Sequence, residues 1–268
     1  MKKHILIIFC FFALAQDNQP YPPLDLVSMP TAGTLPKGVF SLETLLMKDG
    51  GVLPKMLFGI SDRFTFGVSF GIQQFIGVGD ISKNKSAPEV QMKYRLYDET
   101  DIRPAIVLGL NTQGKGKYFD KPGFERYEQK ALGVYLMASR NWNALGNLGF
   151  HFGINKNTFE NSDKDEDINL FFGIDKEIND SFSLLMEYNF ARDDDEISHD
   201  SSCSEDCINI DRLGKGYLNA GLRWSATENL MLEINVNDIL KNSVYNHLED
   251  DEFDSMNREV KVIYYEYF

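Results

Sequence analysis

Arg63 to Ile72 reads RFTFGVSFGI, with Phe64, Phe66, Val68, Phe70 and Ile72 alternating without a break with Thr65, Gly67, Ser69 and Gly71. A period of two sends successive side chains to opposite faces of an extended strand. One face here is apolar and aromatic, the other small and polar. The pattern recurs about twelve times along the chain, each time over roughly ten residues, the length of a strand that crosses a bilayer. The expected strands are 39–47, 55–61, 63–72, 89–97, 102–113, 129–139, 147–157, 167–175, 182–191, 217–225, 230–237 and 258–268.

Connection lengths carry independent information. Short links at 61–63, 98–101, 140–146, 176–181 and 226–229 alternate with long ones at 73–88, 114–128, 158–166, 192–216 and 238–257. Short periplasmic turns and long outer loops mark an outer-membrane barrel, whereas nothing in a soluble β-sandwich forces such an order. With twelve strands, both termini fall on the short-turn side. The fold expected is therefore all-β: an antiparallel transmembrane β-barrel of about twelve strands over residues 38–268, located in the cell outer membrane.

The N-terminus fits this location. Lys2 and Lys3, an apolar run from Ile5 to Leu14 and the small-x-small Ala13-Leu14-Ala15 predict a signal peptide over residues 1–15, with Gln16 as the mature start. Cys10 lies between Phe9 and Phe11, unlike the small residues around a lipidated cysteine. Beyond residue 15 no window approaches the ~20 continuous apolar residues of a membrane helix. Residues 16–37, rich in proline and small residues, predict an irregular periplasmic lead-in, with tucking into the barrel mouth as a further expectation.

The formal net charge of −13 disfavours nucleic acid as a partner. The acid is concentrated in the expected outer loops: 163–167, 193–196, Glu205, Asp206 and 249–254. Such runs read as solvated faces, with divalent cations bridging them to lipopolysaccharide phosphates as a further role. None has the spacing of a dedicated calcium loop, and no metal site or cofactor is assigned. Cys203 and Cys207, in an acidic loop of an exported chain, are spaced for a small local disulfide.

The polar faces of the strands project Glu43, Lys93, Arg95, Arg103, His151, Glu187, Arg223 and Glu233 inward as lumen or pore-lining candidates. Charges of both signs in a confined interior need partners or water. Two interiors fit them: a salt-bridged filling, or a narrow hydrated pore with a mixed-charge constriction. An enzyme is not expected, because His151 is followed by Phe152 and Gly153 and lacks the His-x-Ser arrangement of the outer-membrane phospholipases. The last strand ends at Phe268 with Val260, Val262 and Tyr264 on the same face. Tyr264 and Phe268 resemble the aromatic terminal signal that barrels present to the barrel assembly machinery, although Glu266 interrupts the pattern.

The segments SMPTAGTLPKGVFSLE, LFGISDRFTFGVSFG, KYRLYDETDIRPAIVLGL and GKGYLNAGLRWS resemble the YjbH-like outer-membrane proteins associated with exopolysaccharide operons. That resemblance implies an envelope barrel with a role in polysaccharide production or export. The expectation is thus a monomeric outer-membrane barrel, embedded in lipid and lipopolysaccharide. It would act as a narrow pore or export and assembly component for a polar solute or polysaccharide. The alternative is a non-conducting structural or adhesin-like barrel that acts through its outer loops.

Overall fold

The computed structural model describes residues 23–77, 80–121, 124–143, 146–195, 209–246, 252–254 and 256–268. Twelve antiparallel strands form the wall: β1 Val39–Leu46, β2 Val52–Ser61, β3 Phe64–Ser69, β4 Glu89–Tyr97, β5 Ala105–Asn111, β6 Gly133–Asn143, β7 Asn147–Lys156, β8 Asn169–Asn179, β9 Phe182–Asn189, β10 Tyr217–Ser225, β11 Leu230–Asn237 and β12 Asn257–Tyr267. Each pairs with its sequence neighbour, and β1 pairs with both β2 and β12, Val39 opposite Tyr267 and Leu46 opposite Val260. Closure leaves the wall without an unpaired edge, the condition for a sheet to exist in lipid.

Alternation decides which face each residue takes. In β7, Gly149, His151, Gly153 and Asn155 are buried while Phe150, Phe152 and Ile154 are exposed. In β3, Thr65, Gly67 and Ser69 point inward. Exposed apolar side chains such as Leu42, Leu108, Leu136, Phe172, Leu184 and Ile234 come from strands all around the ring, so the apolar surface is a belt and not one patch. A belt of this extent is what a bilayer covers.

Two strands depart from expectation by four residues at an end, and three others, β2, β3 and β5, by three. β6 begins at Gly133, four residues later than predicted, because Gly133 adopts a φ of +68° and breaks the run from Gln129. The residues before it belong instead to an outer hairpin, 115–121 paired with 124–129. β8 extends to Asn179, which leaves Asp180 and Ser181 as the link to β9.

The lead-in expected to tuck into the barrel mouth goes deeper than the mouth: residues 23–37 run inside the barrel. Asp25 and Pro30 form a bridge, Leu26 N–H donates to Met29 O at 2.8 Å, and Thr31 N–H donates to Leu24 O at 2.9 Å, making a tight hairpin with its tip at 26–29. Its neck leaves at the short-turn end, where Lys37 N–H donates to Asp62 Oδ1 and Gly38 N–H to Gly59 O, both at 2.9 Å. Gly59 permits the close passage, since a Cβ there would lie 1.9 Å from Pro36 O.

The apolar core lies between this hairpin and the wall. Leu24 and Leu35 pack with Val39, Leu57, Met231, Ile263 and Tyr265; Met29 and Ala32 pack with Val107, Tyr135, Met137 and Phe171; Leu26 and Val27 pack against Leu185. Burying a leucine of this kind contributes about 1.5–3 kcal/mol. The hairpin is therefore a folded part of the domain.

Candidate functional site: a plugged and capped lumen

Glu187 on β9 is fully buried and faces the hairpin tip. Its carboxylate accepts the Ser28 N–H at 2.9 and 3.0 Å, the Ser28 hydroxyl at 2.5 Å, the Met29 N–H at 2.9 Å and Asn219 Nδ2 at 2.8 Å. Backbone amides at a turn tip have no strand partner, and one carboxylate satisfies two of them.

Cations from several strands hold the arms. Lys55 Nζ lies 2.8 Å and Lys93 Nζ 3.1 Å from the Asp25 carboxylate, and Lys93 also donates to Leu24 O. Arg223 donates to Asp25 O at 2.7 Å and Lys261 to Val27 O at 2.8 Å. The same cations neutralise acids of the wall: Lys55 with Glu43 at 2.7 Å, Arg223 with Glu233 at 2.6 Å and Lys261 with Glu233 at 3.0 Å. Mixed charge in the lumen thus forms one network shared by the wall and hairpin. Such a network tolerates burial because its members are paired.

Six of the eight predicted lumen residues, Glu43, Lys93, His151, Glu187, Arg223 and Glu233, are buried on the inner face. The other two are not mid-lumen residues. Arg95 is half-buried at the short-turn rim, 3.5 Å from Asp98. Arg103 is exposed outside the wall, in the link before β5, with its guanidinium 5.3 Å from the centre of the Tyr97 ring. The chain leaves strand geometry at the Arg95–Tyr97 bulge and re-enters it only at Ala105, so the alternation that would have turned Arg103 inward is interrupted.

His151 has partners that linear spacing conceals. Ser139, directly opposite on β6, lies 2.7 Å from Nδ1, and Asp175 on β8 lies 2.6 Å from Nε2. Ser139 Oγ accepts the Ala32 N–H at 2.8 Å. The serine is therefore engaged by the hairpin, and the Asp175–His151–Ser139 chain serves as another of its anchors. Register, which places Ser139 against His151, was the signal that could have found it.

The outer mouth is covered by the 115–129 hairpin. Lys115 reaches Asn237 Oδ1 at 2.6 Å and Glu259 at 3.1 Å on the far wall, and Lys48 in the β1–β2 turn meets Glu128 at 2.7 Å. Arg126, 1% exposed, donates to Asp163 at 2.6 Å and to Asp194; Lys130 lies 2.7 Å from Asp163. Glu160 accepts the N–H groups of Tyr127 and Ala131 at 2.6 and 2.7 Å. The runs expected to be solvated faces are thus partly interior. Asp163, Asp165, Asp193 and Asp194 are buried, with Arg126 and Lys130 brought to this cluster by another loop and Arg212 meeting Asp194 from within the same connection.

The electrostatics of this cap follow from its partners. Burial opposes the charge of Arg126, but Asp194 and Asp163 overcome it and hold its pKa above the ordinary value. Burial likewise opposes the charge of Asp194, and Arg126 and Arg212 keep its carboxyl below the usual range. For Asp193, burial and then the neighbouring Asp194 push the carboxyl up to about 7.

Tyr264 and Phe268 lie on the outer face, 38% and 74% exposed, with Phe268 6.3 Å from the Phe58 ring and 6.4 Å from the Phe40 ring. The signal peptide, Cys203, Glu205, Asp206 and Cys207 fall outside the described residues. Among the described residues, no group of three His, Cys, Asp or Glu side chains is placed to hold a metal.

A closed antiparallel ring with an apolar belt, a charged interior and both barrel termini at the short-turn end defines an outer-membrane β-barrel. No protein-family model matches the chain, and neither does any curated protein. Among solved structures, the chain is similar to the KdgM porin (11% identity, TM-score 0.46, covering 84% of this chain and 98% of that one). It is also similar to the NanC porin (8%, 0.44, 85% and 99%) and to the COG4313 outer membrane channel from Pseudomonas putida F1 (11%, 0.38, 87% and 97%). Likeness at this level carries nothing about substrate.

Proposed function

We propose that this barrel is an outer-membrane channel for a small polar solute or saccharide, resting in a closed state. The hairpin 23–37 fills the short-turn side of the lumen, and the 115–129 hairpin covers the outer mouth. One observation supports this reading above others: the hairpin is fastened at its tip and arms by polar contacts to Glu187, Lys93, Arg223, Lys261 and Ser139. Bonds of that kind exchange with water at a net cost of about 0.5–1.5 kcal/mol each, rising to 1.5–3 where a charged group takes part. The segment also packs Leu24, Leu26, Val27, Met29 and Leu35 against the wall, so in this reading it leaves the lumen only when that apolar contact is broken as well, with the strands of the wall still paired.

The resemblance to YjbH-like proteins supports a saccharide as the solute. Lipopolysaccharide and the barrel assembly machinery are the proposed envelope partners, the latter through exposed Tyr264 and Phe268. A second reading, a non-conducting barrel acting through its loops, is favoured by the buried Arg126–Asp163–Asp194 cluster, which gives the outer surface a fixed shape. Planar-bilayer recording separates the two. Conductance that rises when residues 23–33 are deleted supports the channel, and silence in both forms supports the second reading.

A further inference from the structure

Asp25 is the one charge that the hairpin carries into the lumen, since Lys37, the other charged residue of 23–37, is exposed at the neck. Its two carboxylate oxygens are held separately, Oδ2 by Lys55 of β2 at 2.8 Å and Oδ1 by Lys93 of β4 at 3.1 Å. An ammonium on each oxygen is a receptor shaped for a carboxylate, whereas a single-centred anion such as chloride cannot occupy both positions.

The lysines belong to the wall, and their guest belongs to the hairpin. When the hairpin withdraws, Lys55 keeps Glu43, and Arg223 and Lys261 keep Glu233. Lys93 alone of these four cations loses its partners, because among the described residues it is held only by Asp25 and the Leu24 carbonyl. An open lumen therefore carries an uncompensated ammonium beside the Lys55–Glu43 pair, at a place built around a carboxylate. An incoming carboxylate restores the balance.

The receptor is within reach of water. The Asp25 and Lys55 side chains are 18% and 17% exposed. They face a cavity of about 110 Å³ bounded on its outer side by Lys115 and Gln129 of the cap. A smaller cavity of about 20 Å³ touches Asp25, Lys55 and Lys93 together.

We propose that Lys55 and Lys93 form a carboxylate-binding site of the wall, occupied by Asp25 in the closed barrel and taken by the carboxylate of a small solute when the hairpin withdraws. The polar solute of the channel is then one that bears a carboxylate, which competes with Asp25 and so favours the open state. As a transport site it rests on the channel reading; as a binding site it stands without it.

Asp25→Ala in the otherwise full chain vacates the site, and formate, a carboxylate bearing a single hydrogen, fits the space left. Thermal unfolding of this variant in detergent micelles is followed against formate, chloride and neutral formamide at constant ionic strength. Formate is expected to raise the unfolding temperature saturably, at concentrations at least tenfold below chloride, with no effect of formamide. Wild type, its site filled, and the Asp25→Ala/Lys93→Met double variant should show no formate-specific rise. A folded Asp25→Ala barrel that formate does not stabilise beyond chloride, or that keeps the effect without Lys93, overturns the proposal. Should Asp25→Ala not fold, the chain that retains Asp25 decides. Maleimide labelling of an Ala32→Cys reporter on the hairpin should then be at least threefold faster in acetate than in chloride, a difference that Lys93→Gln removes, and equal rates overturn the proposal. Formate binding in a barrel that never conducts, even as Glu187→Ala, leaves the site standing and removes the channel reading; a conducting barrel without formate binding does the reverse.

Discussion

The Glu187 carboxylate grips Ser28 through both the backbone N–H and the hydroxyl, across 159 residues of sequence. Glu187→Ala leaves the Ser28 and Met29 amides without this acceptor in a buried place, a loss of about 1–3 kcal/mol for each unsatisfied group. The hairpin should open more often while the barrel stays folded. Maleimide labelling of an Ala32→Cys reporter should be at least tenfold faster in the Glu187→Ala background.

Gly59 lets the hairpin neck pass against β2. A methyl group there would meet Pro36 O at 1.9 Å, and neither backbone can yield without moving the neck. Gly59→Ala should cost about 1–3 kcal/mol of stability. The temperature at which the folded form disappears on unheated-versus-heated electrophoresis should fall accordingly.

Arg126 sits between two buried carboxylates, so Arg126→Met leaves Asp163 without its 2.6 Å partner and Asp194 with Arg212 alone on that side. Removing one member of a buried pair costs about 3–5 kcal/mol. The outer loops should become protease-sensitive while the wall, whose strands do not depend on Arg126, retains its β-sheet circular dichroism.

Asp193 makes the cap sensitive to alkali. Its folded carboxyl is raised to about 7 against an ordinary 3.8, so the folded cap holds a proton there that the opened loop gives up. The associated stability is complete below the ordinary value and is lost as pH rises through 7. Asp194, held below the ordinary range, contributes in the opposite sense: its stability is present above pH 3.8 and is lost on acidification below that. Between pH 5 and 8 the Asp193 effect should dominate. Loop proteolysis should quicken over that window, and Asp193→Asn should remove most of the change, slowing cleavage at pH 8 by roughly 1–3 kcal/mol equivalent.

The wall was legible because a period of two is written into each strand; β3 and β7 can be read residue by residue as inward Thr65, Ser69 and His151 against outward Phe66 and Phe152. Gly133 shows where that legibility fails, since Gln129 to Leu132 carry no turn residue to mark a boundary and only the backbone turn at the glycine separates hairpin from strand. The plug was hidden for a different reason. Residues 23–37 have no period, and their anchors, Ser139, Glu187 and Lys261, are single residues on separate strands that only ring closure brings together. The burial of Asp163 and Asp194 depended in the same way on a cation from another loop, so composition alone cast them as solvated.

Single-channel recording at matched salt, comparing the wild-type barrel with Glu187→Ala, tests the central claim most directly. The plugged-lumen account predicts a mostly closed wild type and frequent discrete openings in Glu187→Ala at an unchanged folded fraction. A wild type that conducts steadily, with Glu187→Ala indistinguishable from it, would contradict the account.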